Sequence, residues 1–276
     1  LVYDVGSTYT KASAFSLEGG ELAFIKRGQS PTTLDDVMVG ARLTEQQILD
    51  CGVVLTPDCE RFATCSAAGG LRMVAMGYMP RVTAKAAKEV SMCAGARVLE
   101  VVSRDEPPEF REEILQEIRP DIVLLAGGTD GGDTDSVIEN AKIIVRAGVK
   151  GMVILACNQD AQRVAGELLE YGGIRFIRVP NIMPTVHQLN VRPSRQAIHT
   201  QFIRQITKAR GLEKLLAVLT DHTVMPTPGA VLQAGELLAK GTYEIEGAGA
   251  VLIADIGGAT TDIHSLLPWL EDLEDE

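Results

Sequence analysis

The 276-residue sequence predicts a mixed α/β protein in which one sheet-and-helix part is interrupted by another. Three observations lead there. The chain opens with strand-like segments separated by glycine turns. Its middle, residues 111–182, alternates helix with apolar, unalternating strands, the pattern of a parallel sheet covered on both faces. Near each end stands an Asp-x-Gly turn: DVGSTYTK at residues 4–11 and DIGGATTDIH at residues 255–264.

Composition sets the outer limits. Hydrophobic residues make up 46% of the chain and charged residues 23%, as in ordinary globular proteins. The apolar runs are short and broken by Gly, Asp or Lys, so no membrane span is expected. A net charge of −11 argues against a general nucleic-acid binder. It does not exclude a nucleotide, because local backbone donors and a metal override the global field. The five cysteines (Cys51, Cys59, Cys65, Cys93, Cys157) form no CxxC pair, so buried, reduced thiols in a cytoplasmic protein are expected. His187, His199, His222 and His264 lack metal-site spacing. The sequence carries no signal peptide and begins at Leu1, so a trimmed N-terminus is expected.

Residues 1–5, 9–17 and 21–27 read as three strands of a meander, turned by Gly6-Ser7-Thr8 and by Glu18-Gly19-Gly20. Pro31 breaks the chain, and Thr32 or Thr33 can cap a helix over 34–39, with another over 43–49. Residues 61–66 read as a strand, 71–78 as a further apolar stretch, 82–93 as an Ala-rich amphipathic helix and 97–103 as a strand. The glycines in CSAAGGLRM (65–73) either admit a ligand or turn the chain.

After a proline link at 105–110 the period changes. A helix over 111–118 leads to strand 121–126. A helix capped by Asp133, Thr134 or Asp135 runs to about 147. Strand 151–156, helix 160–171 and strand 174–179 follow. LLAGGTDGGDTD (124–135) falls at the carboxyl end of a strand, where such sheets hold ligands. A helix over 194–210 buries Ile198, Phe202 and Ile206 and ends at Gly211. Another, over 229–240, follows Pro226-Thr227-Pro228 and closes at Gly241.

The two Asp-x-Gly turns share one build. An apolar run ends in Asp, a glycine turn with hydroxyls follows, and an extended segment leaves. Glycine lets backbone N–H groups converge on an anion, hydroxyls add donors, and the Asp can hold a divalent cation. The plain alternative is two hairpins with glycine at positive φ. Lys11 either reaches a phosphate or faces solvent.

The pair resembles phosphate 1 and phosphate 2 of the actin, hexokinase and heat-shock chaperone ATPase superfamily. DVGSTYTK, CSAAGGLRM, LLAGGTDGG, NIMPTVHQLNVRPSR (181–195), VMPTPGAVLQAGELL (224–238) and VLIADIGGATTDIHS (251–265) together resemble accessory proteins of adenosylcobalamin-dependent glutamate mutase, of the MutL/GlmL type. That resemblance implies a ribonuclease-H-like ATPase half-domain with an inserted parallel α/β subdomain and an incomplete second half-domain. The expected division is 1–110 first half-domain, 111–182 insertion, 183–248 helical return, and 249–276 the start of the second half with an acidic tail.

It also implies ATP and Mg²⁺ as cofactors, held by Asp4, Gly6, Ser7, Thr8 and Lys11 facing Asp255, Gly257, Gly258, Thr260 and Thr261, with Asp4 and Asp255 organising the metal. The implied partner is an adenosylcobalamin-dependent mutase, reactivated by exchange of damaged cofactor. Asp262 lies where chaperone relatives also carry Asp, and Ala259 departs from their glycine. Relatives continue beyond phosphate 2, and the sequence from Leu266 leaves their pattern. A small-molecule kinase of the same superfamily, or a non-catalytic scaffold docking through the α/β insertion, are the competing readings.

Overall fold

In the computed structural model the residues described are 1–33, 35–66, 70–91, 94–206, 211–258 and 261–267. The chain divides into two compact units, Leu1–Gly69 with Ile203–Glu276, and Gly70–Phe202.

The first unit opens with the expected meander: β1 (Val2–Val5), β2 (Tyr9–Glu18) and β3 (Glu21–Pro31), paired antiparallel. β1 alternates, burying Tyr3 and Val5 and turning Asp4 to the other face. One helix, α1 (Val37–Leu49), replaces the two short ones expected, and Leu34 lies outside the described residues. Neither Thr32 nor Thr33 caps it. Asp36 does, its carboxylate accepting from the Met38 N–H at 2.9 Å. Thr33 donates to the Asp36 carbonyl and accepts from the Gly40 N–H, so the glycine between the two expected helices is secured inside one. β4 (Phe62–Cys65) then lies parallel to β1.

The second unit holds β5 (Leu71–Gly77), α2 (Pro80–Ser91), β6 (Ala96–Ser103), α3 (Pro108–Ile118), β7 (Ile122–Leu125), α4 (Asp135–Arg146), β8 (Met152–Leu155), α5 (Gln159–Tyr171), β9 (Phe176–Arg178) and most of α6 (Val191–Ile206). Its strands form one parallel sheet in the order β6-β5-β7-β8-β9. Met73, Val74, Ala75 and Met76 of β5 and all four residues of β7 are fully buried. Such runs suit a sheet covered on both faces. Val137, Ile143, Ile144, Ala161 and Leu169 from α4 and α5 complete the core.

This corrects the expected boundaries. Residues 71–103, assigned to the first half-domain, stand here with β5 as an inner strand beside β7. A short buried run looks the same in either sheet, and local pattern does not say which neighbour it will pair with. The motif CSAAGGLRM is therefore the crossing from one unit to the other. Residues 67–69 lie outside the described set, and Gly70 turns at φ +73°. Several helices start earlier than expected: α2 at Pro80, α3 at Pro108 and α6 at Val191. In α3 the proline sits in the first turn, where its missing N–H is harmless.

Back in the first unit, residues 207–210, where the helix expected over 194–210 would end, lie outside the described set, and Gly211 (φ +85°) N-caps a helix the sequence did not announce, α7 (Leu212–Val218). A two-residue strand, β10 (Met225–Pro226), pairs parallel with β4, completing the order β10-β4-β1-β2-β3. α8 (Thr227–Lys240) follows and ends at Gly241. The hairpin β11 (Val251–Ile256) and β12 (Thr261–Leu266) packs one face on α8, where Gly235 leaves room for Ile253 and Leu266.

Candidate functional site at the two glycine turns

The first turn is held by its own backbone and by one threonine. The Gly6 N–H donates to the Tyr9 carbonyl at 3.0 Å, and a β-carbon on Gly6 would lie 2.6 Å from that oxygen. Gly6 is thus required by close approach, not by positive φ. Thr32 straps the turn from β3. Its hydroxyl donates to the Gly6 carbonyl at 2.7 Å, its N–H donates to the Thr8 carbonyl at 2.9 Å, and its hydroxyl meets that of buried Thr10 at 3.1 Å. Ser7 is half-buried and Thr8 exposed, so both hydroxyls remain at the surface of a fixed backbone.

Asp4 sits at the base of the turn. One carboxylate oxygen, Oδ1, accepts from the Thr64 hydroxyl at 3.1 Å and the Thr227 hydroxyl at 3.2 Å. The other, Oδ2, pairs with Lys11 Nζ at 3.5 Å, both side chains being partly open to solvent. Asp4 and Lys11 are directly opposed in the β1–β2 register. Lys11 therefore lies beside Asp4 at the base of the turn, ion-paired and still partly open to solvent.

The second turn meets the first. Gly258 leaves no room for a β-carbon, which would collide with the Thr8 hydroxyl. Thr8 and Gly258 thereby bring together the two motifs that sequence reading singled out. Asp255 lies directly across the hairpin from Asp262, and Thr261 across from Ile256. Asp255 and Asp262 are half-buried, whereas Gly257, Gly258 and Thr261 are exposed. Thr260 lies outside the described residues. Among those described, no group of three or more His, Cys, Asp or Glu side chains converges as a metal cage.

In the second unit the glycine-rich loop after β7 is fixed from below. Buried Asn158 donates to the carbonyls of Gly132 and Asp133, and buried Asn181 to the Gly128 carbonyl and the Asp130 carboxylate. Gly127 and Gly128 take positive φ, and a β-carbon on Gly128 would strike the Asp133 carbonyl. A cleft of about 920 Å³ lies between the β6–α3 connection and α4. Its walls, including Arg104, Asp105, Glu109, Asp135 and Lys142, are mostly charged, without the apolar lining of a typical small-molecule pocket.

Sequence reading did not find Thr32, Thr64 or Thr227 as parts of the first turn. Thr227 lay within a quoted motif, VMPTPGAVLQAGELL, whose TP pair announced only a helix start. Nothing in the sequence marks Thr64 beyond its place at the end of a strand.

A family model described as MutL protein matches residues 1–275. Protein MutL of Clostridium tetanomorphum is 42% identical over 274 residues, covering 96% of this chain and 57% of that protein. The chain thus spans 57% of the length of that curated relative. Two solved structures overlap 51% of the chain at a TM-score of 0.32: the signal receiver domain of the response regulator NarL from Mycobacterium tuberculosis, 17% identical with 98% of it covered, and the response regulator domain of Thermotoga maritima CheB, 16% identical with 96% covered. At that score neither carries an argument.

Proposed function

The chain belongs to the MutL protein family, and from that membership we propose that it is the ATP-binding part of an accessory protein that reactivates an adenosylcobalamin-dependent mutase. One observation carries the nucleotide half of this reading: the two Asp-x-Gly turns, written at opposite ends of the chain, meet at Thr8 and Gly258. Two unrelated hairpins have no reason to converge with their hydroxyls and glycines in contact.

The residues fit the proposed ligand. Gly6, Ser7 and Thr8 offer a strapped backbone and free-standing hydroxyls to phosphate oxygens, and Gly257, Gly258 and Thr261 offer the second side. Lys11 stands beside Asp4 as a point charge. Asp4 and Asp255 are the carboxylates that would hold Mg²⁺. When bound, the ion neutralises charge developing during phosphoryl transfer. The strand order β10-β4-β1-β2-β3, with β1 to β3 antiparallel and β4 and β10 parallel to β1, supports a ribonuclease-H-like half-domain interrupted between β4 and α7. The second unit is the segment proposed to dock on the mutase, and exchange of damaged cofactor is the proposed outcome.

Mg-ATP calorimetry tests the reading on this chain and on a form lengthened to match the curated relative. Binding that is lost in Asp255→Ala supports it, as does ATP turnover that rises with a mutase. Absence of binding by both forms turns the glycine turns into structural features and favours the scaffold. Phosphorylation of a small molecule favours the kinase.

A further inference from the structure

We propose that Thr64 and Thr227 are positioning residues for Asp4, which they hold so that only one carboxylate oxygen faces the site. The proposal rests on the nucleotide reading above and extends it to two residues outside both turns. An aspartate carboxylate ordinarily turns freely, because its terminal torsion is broad and two-fold. Here both hydroxyls donate to the same oxygen, Oδ1, at 3.1 and 3.2 Å. That oxygen is committed, and exchange of the two oxygens would break both bonds. Oδ2 is left to the outside, met only by Lys11 Nζ at 3.5 Å.

The hydroxyls come from separate parts of the first unit. Thr64 lies in β4, next to β1, with Asp4 and Thr64 in register. Thr227 is the first residue of α8, directly after β10, which pairs with β4. Sheet pairing, not local sequence, sets their positions. The amino end of α8 also carries the positive end of the helix dipole, which favours a carboxylate beside it. Lys11 holds Oδ2 by one long, solvent-open ion pair, the kind that contributes least. A cation on Oδ2 would displace it and leave its charge available to a phosphate oxygen.

Thr→Val removes the hydroxyl at nearly constant shape, and Thr→Ser restores it. In calorimetry on the chain and its lengthened form, Thr64→Val and Thr227→Val weaken Mg-ATP binding roughly ten-fold or more, as expected for losing a hydrogen bond to a charged group. Thr227→Ser stays close to the parent. A second measurement needs no nucleotide. The Tm loss caused by Thr227→Val shrinks when Asp4 is already Ala, because the shared bond is gone. Val variants that bind as tightly as the parent, or Thr227→Ser as weak as Thr227→Val, overturn the proposal. So does a Tm loss that is the same with and without Asp4. If the parent binds no Mg-ATP, the nucleotide reading falls alone, and the Tm cycle still decides whether these hydroxyls position Asp4.

Discussion

Gly258 stands against the Thr8 hydroxyl with no room for a β-carbon between them. The contact joins turns from opposite ends of the chain and makes each a wall of the other. Gly258→Ala therefore pushes the turns apart. Overpacking of this kind costs about 1–3 kcal/mol, and the exposed turns place the expectation at the lower end. Thermal unfolding should show a small Tm loss that Thr8→Ala largely reverses. Mg-ATP binding, if governed by both turns, falls in the single variant and is not recovered in the double.

Asp255 and Asp262 face each other across the β11–β12 hairpin. Like charges directly opposite destabilise a sheet pair, by roughly 0.2–1 kcal/mol. Added Mg²⁺ should raise the Tm of the parent through binding to the folded state, and raise that of Asp255→Asn less. Equal Mg²⁺ responses would remove Asp255 from the proposed cation site.

Burial pushes the Cys157 thiol up to about 12 from its ordinary value of 9.0. The folded state therefore disfavours the thiolate. The stability tied to this group is whole below about pH 9 and is lost as pH climbs toward 12. Urea unfolding at pH 8 and pH 10.5 should show a loss that is smaller in Cys157→Ala. Native thiol labelling should reach exposed Cys51 and leave Cys157 untouched until the chain unfolds.

Arg111 is almost completely buried between α3 and α4, donating to Asn140 at 2.5 Å and to Glu139 at 2.9 Å. Its Nε–H has no protein partner. Arg111→Ala strands buried Asn140 and opens a cavity, while Glu139 is exposed enough to be solvated, so the expected cost is about 2–4 kcal/mol. Arg111→Met also removes the orphaned donor and leaves Asn140 Oδ1 unpaired but fills most of the space, so its cost should be smaller by the cavity contribution. Urea titration of both variants isolates the part of the loss that is due to volume.

The second unit sets the size of any deletion aimed at mutase docking. Removing 121–180 would cut β7, β8 and β9 out of a five-stranded sheet and leave β5 without its inner neighbour β7. Replacing all of Gly70–Phe202 with a flexible linker respects the compact unit. The expected outcome is a folded first unit that keeps the Thr64–Asp4–Thr227 hydrogen bonds and, on the proposed reading, lacks the association with a mutase shown by the intact chain. Retained association in a pull-down would move the docking surface to the first unit.

Much of the local structure was readable from residues alone. The meander β1–β3 followed from glycine turns between extended segments. The units β7-α4-β8-α5-β9 followed from buried runs alternating with amphipathic stretches. The site was half readable. Asp4, Gly6, Thr8, Lys11 and Gly258 stand within the two motifs, whereas Thr32, by sequence one of two candidate helix caps, is the strap of the turn. A threonine next to a proline gives the same local signal in both roles. α7 went unread because seven residues span too few turns for a period to stand out, and β10 because two residues show none.

The sequence by itself determined where the chain turns and which segments are helix or strand. Glycine, proline and hydrophobic spacing act within a few residues. It also wrote the two Asp-x-Gly motifs, since each is a local arrangement of backbone and hydroxyls. Tertiary structure decided which sheet β5 and β6 join, that Gly258 touches Thr8, and that Thr64 and Thr227 share one oxygen of Asp4. Those outcomes depend on strand pairing between segments far apart in the chain, and a hydroxyl carries no local mark of the carboxylate it will meet.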